Sequence, residues 1–362
     1  MPPLSDAPVL KALAERVRPV DRAAGDATRA YLDTLTKPPG SLGDLEALAV
    51  QLSAITGQAK PDVMPPACIV FAADHGVAVE GVSAFGQEVT AQMVANFAAG
   101  GAAINAFARC IAARLEVVDV GVANDLPDTG SADNPVVNAR IRRGTGNMLT
   151  EPAMGREDAV AALDAGAQAA NRAFDAGCRC LIVGEMGIAN TTAASAMLAV
   201  LTGHPVSGVV GTGTGINSVK LTHKISVIER AIDARWMDTS DPVEVLASVG
   251  GLEIGAMAGA YLAGAARGKP CLVDGFIATV AALLACEICP DVRGYLVFGH
   301  RSLEPGHGVA LQALRAKPIL TMDMRLGEGS GAALAFPLLN AACAMLREMA
   351  TFADAGVDAS RS

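Results

Sequence analysis

Two hydrophobic rhythms divide the chain. From residue 68 onward, short β-branched runs alternate with alanine-rich stretches, and each run stops at a polar residue beside glycine. Residues 68–73 stop at Asp74-His75-Gly76, 115–120 at Gly121, and 180–183 at Gly184-Glu185-Met186-Gly187. Further on, Cys271-Leu272-Val273 stops at Asp274-Gly275, and 295–298 at Gly299-His300. Runs that are apolar on both faces and separated by helical stretches predict a parallel sheet with crossover helices and one functional edge. The fold class is therefore α/β. Ahead of this body the period is helical, with helices predicted near 6–18, 21–34 and 44–56. The breaker-rich loop 36–46 lies between the last two, and Ser41 and Asp44 within it have the spacing of a capping box. The prolines of 58–66 mark a boundary. At the far end, 318–324 alternates as a strand does, and 332–346 is almost uncharged and long enough for a buried helix. The polar, Gly/Pro-punctuated segment 124–155 reads as a long excursion. No repeat of fixed period is present.

Composition narrows the function. A chain of 362 residues holds two or three domains, or one large α/β domain with a helical addition. A net charge of −9, with no run of Lys, Arg or His, argues against a nucleic-acid surface. Met1-Pro2-Pro3-Leu4-Ser5-Asp6 lacks the basic start and apolar segment of a signal peptide, so a cytoplasmic location is expected. Segment 330–346 is too short for a membrane span and carries Pro337 and Asn340, so no membrane insertion is expected. The eight cysteines are expected as reduced thiols, and Cys286-x-x-Cys289 has no second pair to complete a zinc site.

Three loops carry candidate phosphate chemistry. In the first, Gly184 to Thr192, a strand passes through a glycine turn into a helix that Asn190 or Thr191 can cap, and free N–H groups at such a start attract anions. Glu185 beside it suits ribose hydroxyls better than phosphate. The second, Gly211-Thr212-Gly213-Thr214-Gly215-Ile216-Asn217, approaches two phosphate fingerprints and matches neither. The helix after it sets Leu221, Ile225, Ile228 and Ile232 on one stripe with Lys220 and Lys224 along its flank, so one lysine can lean inward. In the third, Gly299 to His307, Pro305-Gly306 breaks the helix that would align His300, Glu304 and His307 on a metal, and phosphate contact by Ser302 is preferred. No metal and no cofactor are expected.

The stretch from Met322 to Gly331 sets Glu328 among Gly327, Gly329 and Gly331, between the expected last strand and the last helix. A carboxylate at such a strand end faces the crevice where α/β proteins bind ligands. It could equally be a favourable charge at a helix start.

Taken in order, these motifs resemble the nicotinate-nucleotide:dimethylbenzimidazole phosphoribosyltransferases. The resemblance runs through 37–46, Ala73 to Gly76, Glu80 to Ser83 with Gln87 to Thr90, 184–192, 211–217, Leu272 to Phe276, 299–307 and 326–331. It implies transfer of phosphoribose from nicotinate mononucleotide to 5,6-dimethylbenzimidazole, giving α-ribazole 5'-phosphate and nicotinate for the lower ligand of cobalamin. It implies Glu328 as general base, with Glu185 and Lys224 by the ribose and phosphate. Gly187, Asn190, Thr191, Gly213, Ser302 and Arg325 match phosphate or ribose neighbours, and Ser83 and Gln87 match the edge of the base pocket. The resemblance also implies a Rossmann-like catalytic domain over 59–331, a small helical domain built from 1–58 and 332–362, and a homodimer whose partner helps close the site. Two alternatives stay open. A 5-phosphoribosyl-pyrophosphate-dependent transferase would need an acidic pair ahead of 211–215, where none stands. A non-catalytic nucleotide-binding regulator would keep the phosphate loops without needing Glu328.

Overall fold

The computed structural model describes residues 7–126, 134–213, 215, 217–235 and 239–358. Six parallel strands form the central sheet: β1 (Pro66–Ala73), β2 (Arg114–Gly121), β3 (Val136–Asn138), β4 (Cys180–Met186), β5 (Cys271–Val273) and β6 (Leu296–Phe298). Their order is β3-β2-β1-β4-β5-β6, that of a doubly wound Rossmann-type sheet. The chain winds outward from β1 in one direction and then from β4 in the other, which opens a crevice where these two strands end side by side. Phe71 pairs with Glu185 and Ala72 with Met186, so Glu185 stands at the mouth of that crevice. All eight residues of β1 are buried, as a strand covered on both faces requires.

Helices cover both faces. Those spanning Arg156–Asp175 and Leu252–Ala266 pack so closely that a Cβ on Gly166 would overlap the Ala256 backbone and one on Gly259 the Leu163 backbone. The small residues of these helices are thus a packing requirement. Before the sheet, helices span Pro8–Arg16, Arg22–Leu32 and Asp44–Thr56, close to the expected bounds. The expected capping box is absent. Gly43, at φ 54°, leads directly into the helix, and Glu46 instead accepts from Leu42 N at 3.0 Å and pairs with the buried Lys37 ammonium at 2.9 Å.

Two other expectations change. The excursion contains β3, whose three partly exposed residues are too few for a periodic signal. The expected strand 318–324 shrinks to β8 (Leu320–Thr321), paired with β7 (His300–Arg301) in a separate two-stranded sheet. Extension fails at Asp323, which takes φ 54°. The last long helix spans Ser330–Glu348 and is followed by a single turn, Phe352–Ala355. Among the described residues it is the one helix long and apolar enough to cross a membrane, yet 61% of its most apolar window is buried against the core. Asp6, Thr214, Ile216 and 127–133, which entered the sequence reading, lie outside the described residues.

Candidate active site

A cavity of about 380 Å³ opens at the C-terminal ends of the strands. Asp74, Glu185, Asp274, His300 and Glu328 all stand at this edge, each at or just past a strand end or, for Glu328, folded back onto β4. Glu185, Asp274, His300 and Glu328 line the cavity.

Glu328 arrives by an unusual backbone. Gly327, Glu328 and Gly329 have φ values of 87°, 65° and 85°, three left-handed residues in a row. This is easy for the glycines and costs about 1–2 kcal/mol for a glutamate. The strained residue sits over Gly184 and accepts a hydrogen bond from Ile104 N at 3.3 Å. Burial pushes its carboxyl above the usual range, the Ile104 N–H pulls back, and the Asp274 charge adds to the rise. Asp274, one residue past β5, anchors the segment that follows. Its Oδ1 accepts from Ala332 N at 2.8 Å and its Oδ2 from Gly329 N at 3.2 Å, so it caps the helix Ser330–Glu348 from a distant strand.

Glu185 is buried, and its Oε2 accepts from the Asn190 amide. Burial, reinforced by the charges of Glu253, Asp274 and Glu328, pushes it up to about 8. The turn from β4 into the helix Asn190–Thr202 passes Gly187, where a Cβ would overlap the Ala73 carbonyl, and Ala189 at φ 72°. The two central strands can end this close only because residue 187 has no side chain.

A corner with a buried ammonium lies beside this turn. Lys224 is 1% exposed, and its Nζ donates to Thr191 Oγ1 at 2.8 Å and to Gly211 O at 3.5 Å. Burial lowers the ammonium to about 8 against the opposing pull of Glu304. The helix Ser218–Ala234 buries Lys224, Val227, Ile228 and Ala231, so its inner face is turned from the expected stripe and the lysine is central to it; Lys220 is exposed. Arg325 Nη1 donates to Gly213 O at 3.4 Å, closing the corner. Ser302 is buried and lines the same cavity, its Oγ accepting from Glu304 N at 3.4 Å.

Of the residues singled out from sequence, Glu328, Glu185, Gly187, Asn190, Thr191, Gly213, Ser302 and Arg325 line one cavity, and Lys224 stands directly behind Thr191 and Gly213. Ser83 and Gln87 do not line it. Ser83 Oγ accepts from Phe85 N at 3.3 Å, and Gln87 Nε2 donates to His75 O at 3.1 Å. Their neighbours Phe85, Val89 and Met93 supply the apolar wall, with Met186, Ile188, Phe276 and Leu326. Val89 and Met93, which sequence reasoning missed, stand four residues apart on the helix Glu88–Ala98, a helical spacing.

Of the two histidines of the third loop, His300 lines the cavity and His307 is held by backbone and side-chain hydrogen bonds. His307 Nδ1 accepts from Ser302 N at 2.8 Å, which leaves its proton on Nε2, 3.0 Å from Thr279 Oγ1. Burial and the nearby His300 hold His307 down at about 4, neutral at any ordinary pH. Asp74 and His75 form a second buried cluster behind the cavity. Asp74 Oδ2 accepts from Ala123 N at 2.8 Å, and His75 pairs with Glu253 at 2.8 Å. Burial alone would lower His75, but the Glu253 carboxylate raises it. All eight cysteines are free thiols, and burial pushes Cys286 up to about 12.

The chain is similar to known proteins over nearly its whole length. A family profile described as phosphoribosyltransferase matches residues 17–357. The nicotinate-nucleotide–dimethylbenzimidazole phosphoribosyltransferase of Chloroflexus aggregans is 52% identical over 94% of this chain and 96% of its own length. That of Pseudomonas putida is 49% identical over 94% and 96%. The crystal structure of the Thermus thermophilus enzyme of that name superposes with a TM-score of 0.88 at 47% identity, covering 94% of this chain and all of that one. The fold is thus shared over 94% of the chain with a protein of that name, and the chain belongs to the phosphoribosyltransferase family that contains these proteins.

Proposed function

We propose that the protein transfers the 5-phosphoribosyl group of nicotinate mononucleotide to 5,6-dimethylbenzimidazole, forming α-ribazole 5'-phosphate and nicotinate in assembly of the cobalamin lower ligand. The observation that carries this reading is Glu328: a buried carboxylate, raised by burial, held in a strained left-handed conformation on the wall of a largely apolar cavity. Such strain persists where the surroundings enforce it, and it clusters at functional sites.

The chemistry follows from the wall residues. The bond between C1' and the pyridinium nitrogen breaks, and its electron pair leaves with nicotinate. A benzimidazole nitrogen bonds C1' from the opposite ribose face, and the proton on the other ring nitrogen passes to Glu328. A raised carboxyl accepts that proton better than an ordinary one does. Glu185 stands where ribose hydroxyls and the positive charge developing at C1' require an acceptor. Burial and the neighbouring carboxylates favour its protonated form, and the pyridinium cation of the donor favours its ionised form. Lys224, Thr191, Gly213, Arg325 and Ser302 receive the phosphate, with Gly187 and Asn190 at the ribose side. Ser83 and Gln87 support the base pocket through Phe85 and the strand-end loop.

The wider arrangement is read the same way. A small domain formed by both chain ends is supported by the Leu35–Thr351 bridge and by Thr36 N donating to Ala350 O at 3.0 Å. A homodimer whose partner closes the site is supported by Phe85 and Leu326, 54% and 60% exposed at the cavity mouth. The free thiols support a cytoplasmic setting.

The test is to mix the protein with nicotinate mononucleotide and dimethylbenzimidazole, without added metal, and to measure nicotinate and α-ribazole 5'-phosphate. Turnover with 5-phosphoribosyl pyrophosphate in place of the mononucleotide, or binding without turnover, would overturn the proposal. Light scattering in solution tests the dimer.

A further inference from the structure

Glu304 stands at the start of the helix Pro305–Ala313, on the cavity wall, and is 8% exposed. Its Oε2 is buried without a hydrogen-bond partner among the described residues. An unpaired buried carboxylate oxygen is costly, so its placement calls for an electrostatic reason.

That reason lies across Gly211. A Cβ at this position would overlap Glu304 Oε2 and lie 2.7 Å from Pro305 Cδ, so the carboxylate fits only because residue 211 has no side chain. The carbonyl of the same glycine accepts from Lys224 Nζ. One bare peptide therefore separates a buried carboxylate from a buried ammonium. The ammonium has three donors, and Thr191 and Gly211 take two, which leaves one for a ligand. Other charges around Lys224 are differently engaged. Lys220, His223 and Glu229 on its own helix are exposed, Arg325 bonds Gly213 O from the loop after β8, and Glu185 on β4 is held by Asn190.

We propose that Glu304 is a positioning residue for the donor phosphate: across the gap left at Gly211, its carboxylate keeps the buried Lys224 ammonium charged and ready to receive the anion. This rests on the phosphate role proposed for Lys224. Glu304 has two opposed effects. It sustains the ammonium as pH rises, consistent with its upward pull on a lysine otherwise lowered by burial. It also repels the phosphate whenever Lys224 would be charged in any case. The benefit therefore belongs to alkaline pH and the cost to acidic pH.

Calorimetric titration of nicotinate mononucleotide into the full chain, from pH 6 to 9.5, separates these effects. The ligand's own phosphate titration is common to every variant. Glu304→Gln is expected to bind at pH 6 as tightly as the parent or more so. Its affinity should then fall about one pH unit earlier, leaving it about tenfold weaker near pH 8.5. Glu304→Asp, which keeps the charge, should restore most of the parent's alkaline limb. If Gln does not fold, Glu304→Ala makes the same comparison. Weakening by one constant factor at every pH marks a structural role and overturns the proposal. Lys224→Ala tells which idea has failed. If it binds like the parent, the phosphate reading itself falls; if it is weak while Glu304→Gln keeps the parent's profile, only the role of Glu304 falls.

Discussion

A Cβ on Gly184 would overlap the carbonyl oxygen of Glu328. The strained loop rests directly on the β4 backbone, so the position of the carboxylate depends on a missing side chain in the middle of the sheet. Gly184→Ala is expected to push the 327–329 backbone outward. A displacement near 1 Å is enough to lower turnover by about 10², and overpacking should cost about 1–3 kcal/mol of stability. Steady-state kinetics and denaturant unfolding check both. Unchanged kcat would mean that the loop shifts without moving the reacting carboxyl.

Glu328→Gln preserves size and the acceptor for Ile104 N–H while removing the basic oxygen. Turnover should fall by about 10² to 10⁴ with nucleotide binding retained. In the parent, the raised carboxyl is ionised only above its shifted pKa, so kcat should decline as pH falls through a value higher than that of an ordinary glutamate. That acid limb should vanish from the residual activity of the Gln variant. Normal turnover combined with early melting would make Glu328 a helix-end charge and direct the search for the base to Glu185.

Lys224→Ala should weaken nicotinate mononucleotide by about 10- to 100-fold, the worth of a hydrogen bond to a charged group. Dimethylbenzimidazole, which has no phosphate, should bind nearly as before. Parallel titrations of the two ligands decide this, and equal losses for both would mark a structural lysine.

Glu185 carries a stability signature. Its folded pKa of about 8 lies above the ordinary glutamate value of 4.5, so the folded state holds a proton that the unfolded state loses between these pH values. The stability linked to this proton is present below about pH 4.5, declines as pH rises, and is gone above about 8. Glu185→Gln cannot ionise and still accepts from Asn190. Its melting temperature should therefore exceed the parent's by about 2 °C or more at pH 8.5, with the gap closing toward pH 5. A constant difference across that range would show that ionisation of Glu185 is not the cause.

The residues alone determined the alternation of strands and helices from 68 onward, the stop of each strand at a polar residue beside glycine, and the three loops that meet at the cavity. These are short-range properties. Hydrophobic period and backbone freedom act within a few residues, so they are legible without knowledge of neighbours. Tertiary structure decided what depends on residues far apart in sequence. The edge strand β3 exists because Val136–Asn138 pair with β2, not because three residues signal a strand. Asp274 caps a helix that begins 56 positions later, at Ser330, and Glu328 finds its donor at Ile104. The loop at 41–46 took Lys37 and Glu46 as partners in place of the local cap. Lys224 reads from sequence as a flank residue, and only the packing of its helix against Thr191 and Gly211 turns it inward and desolvates it.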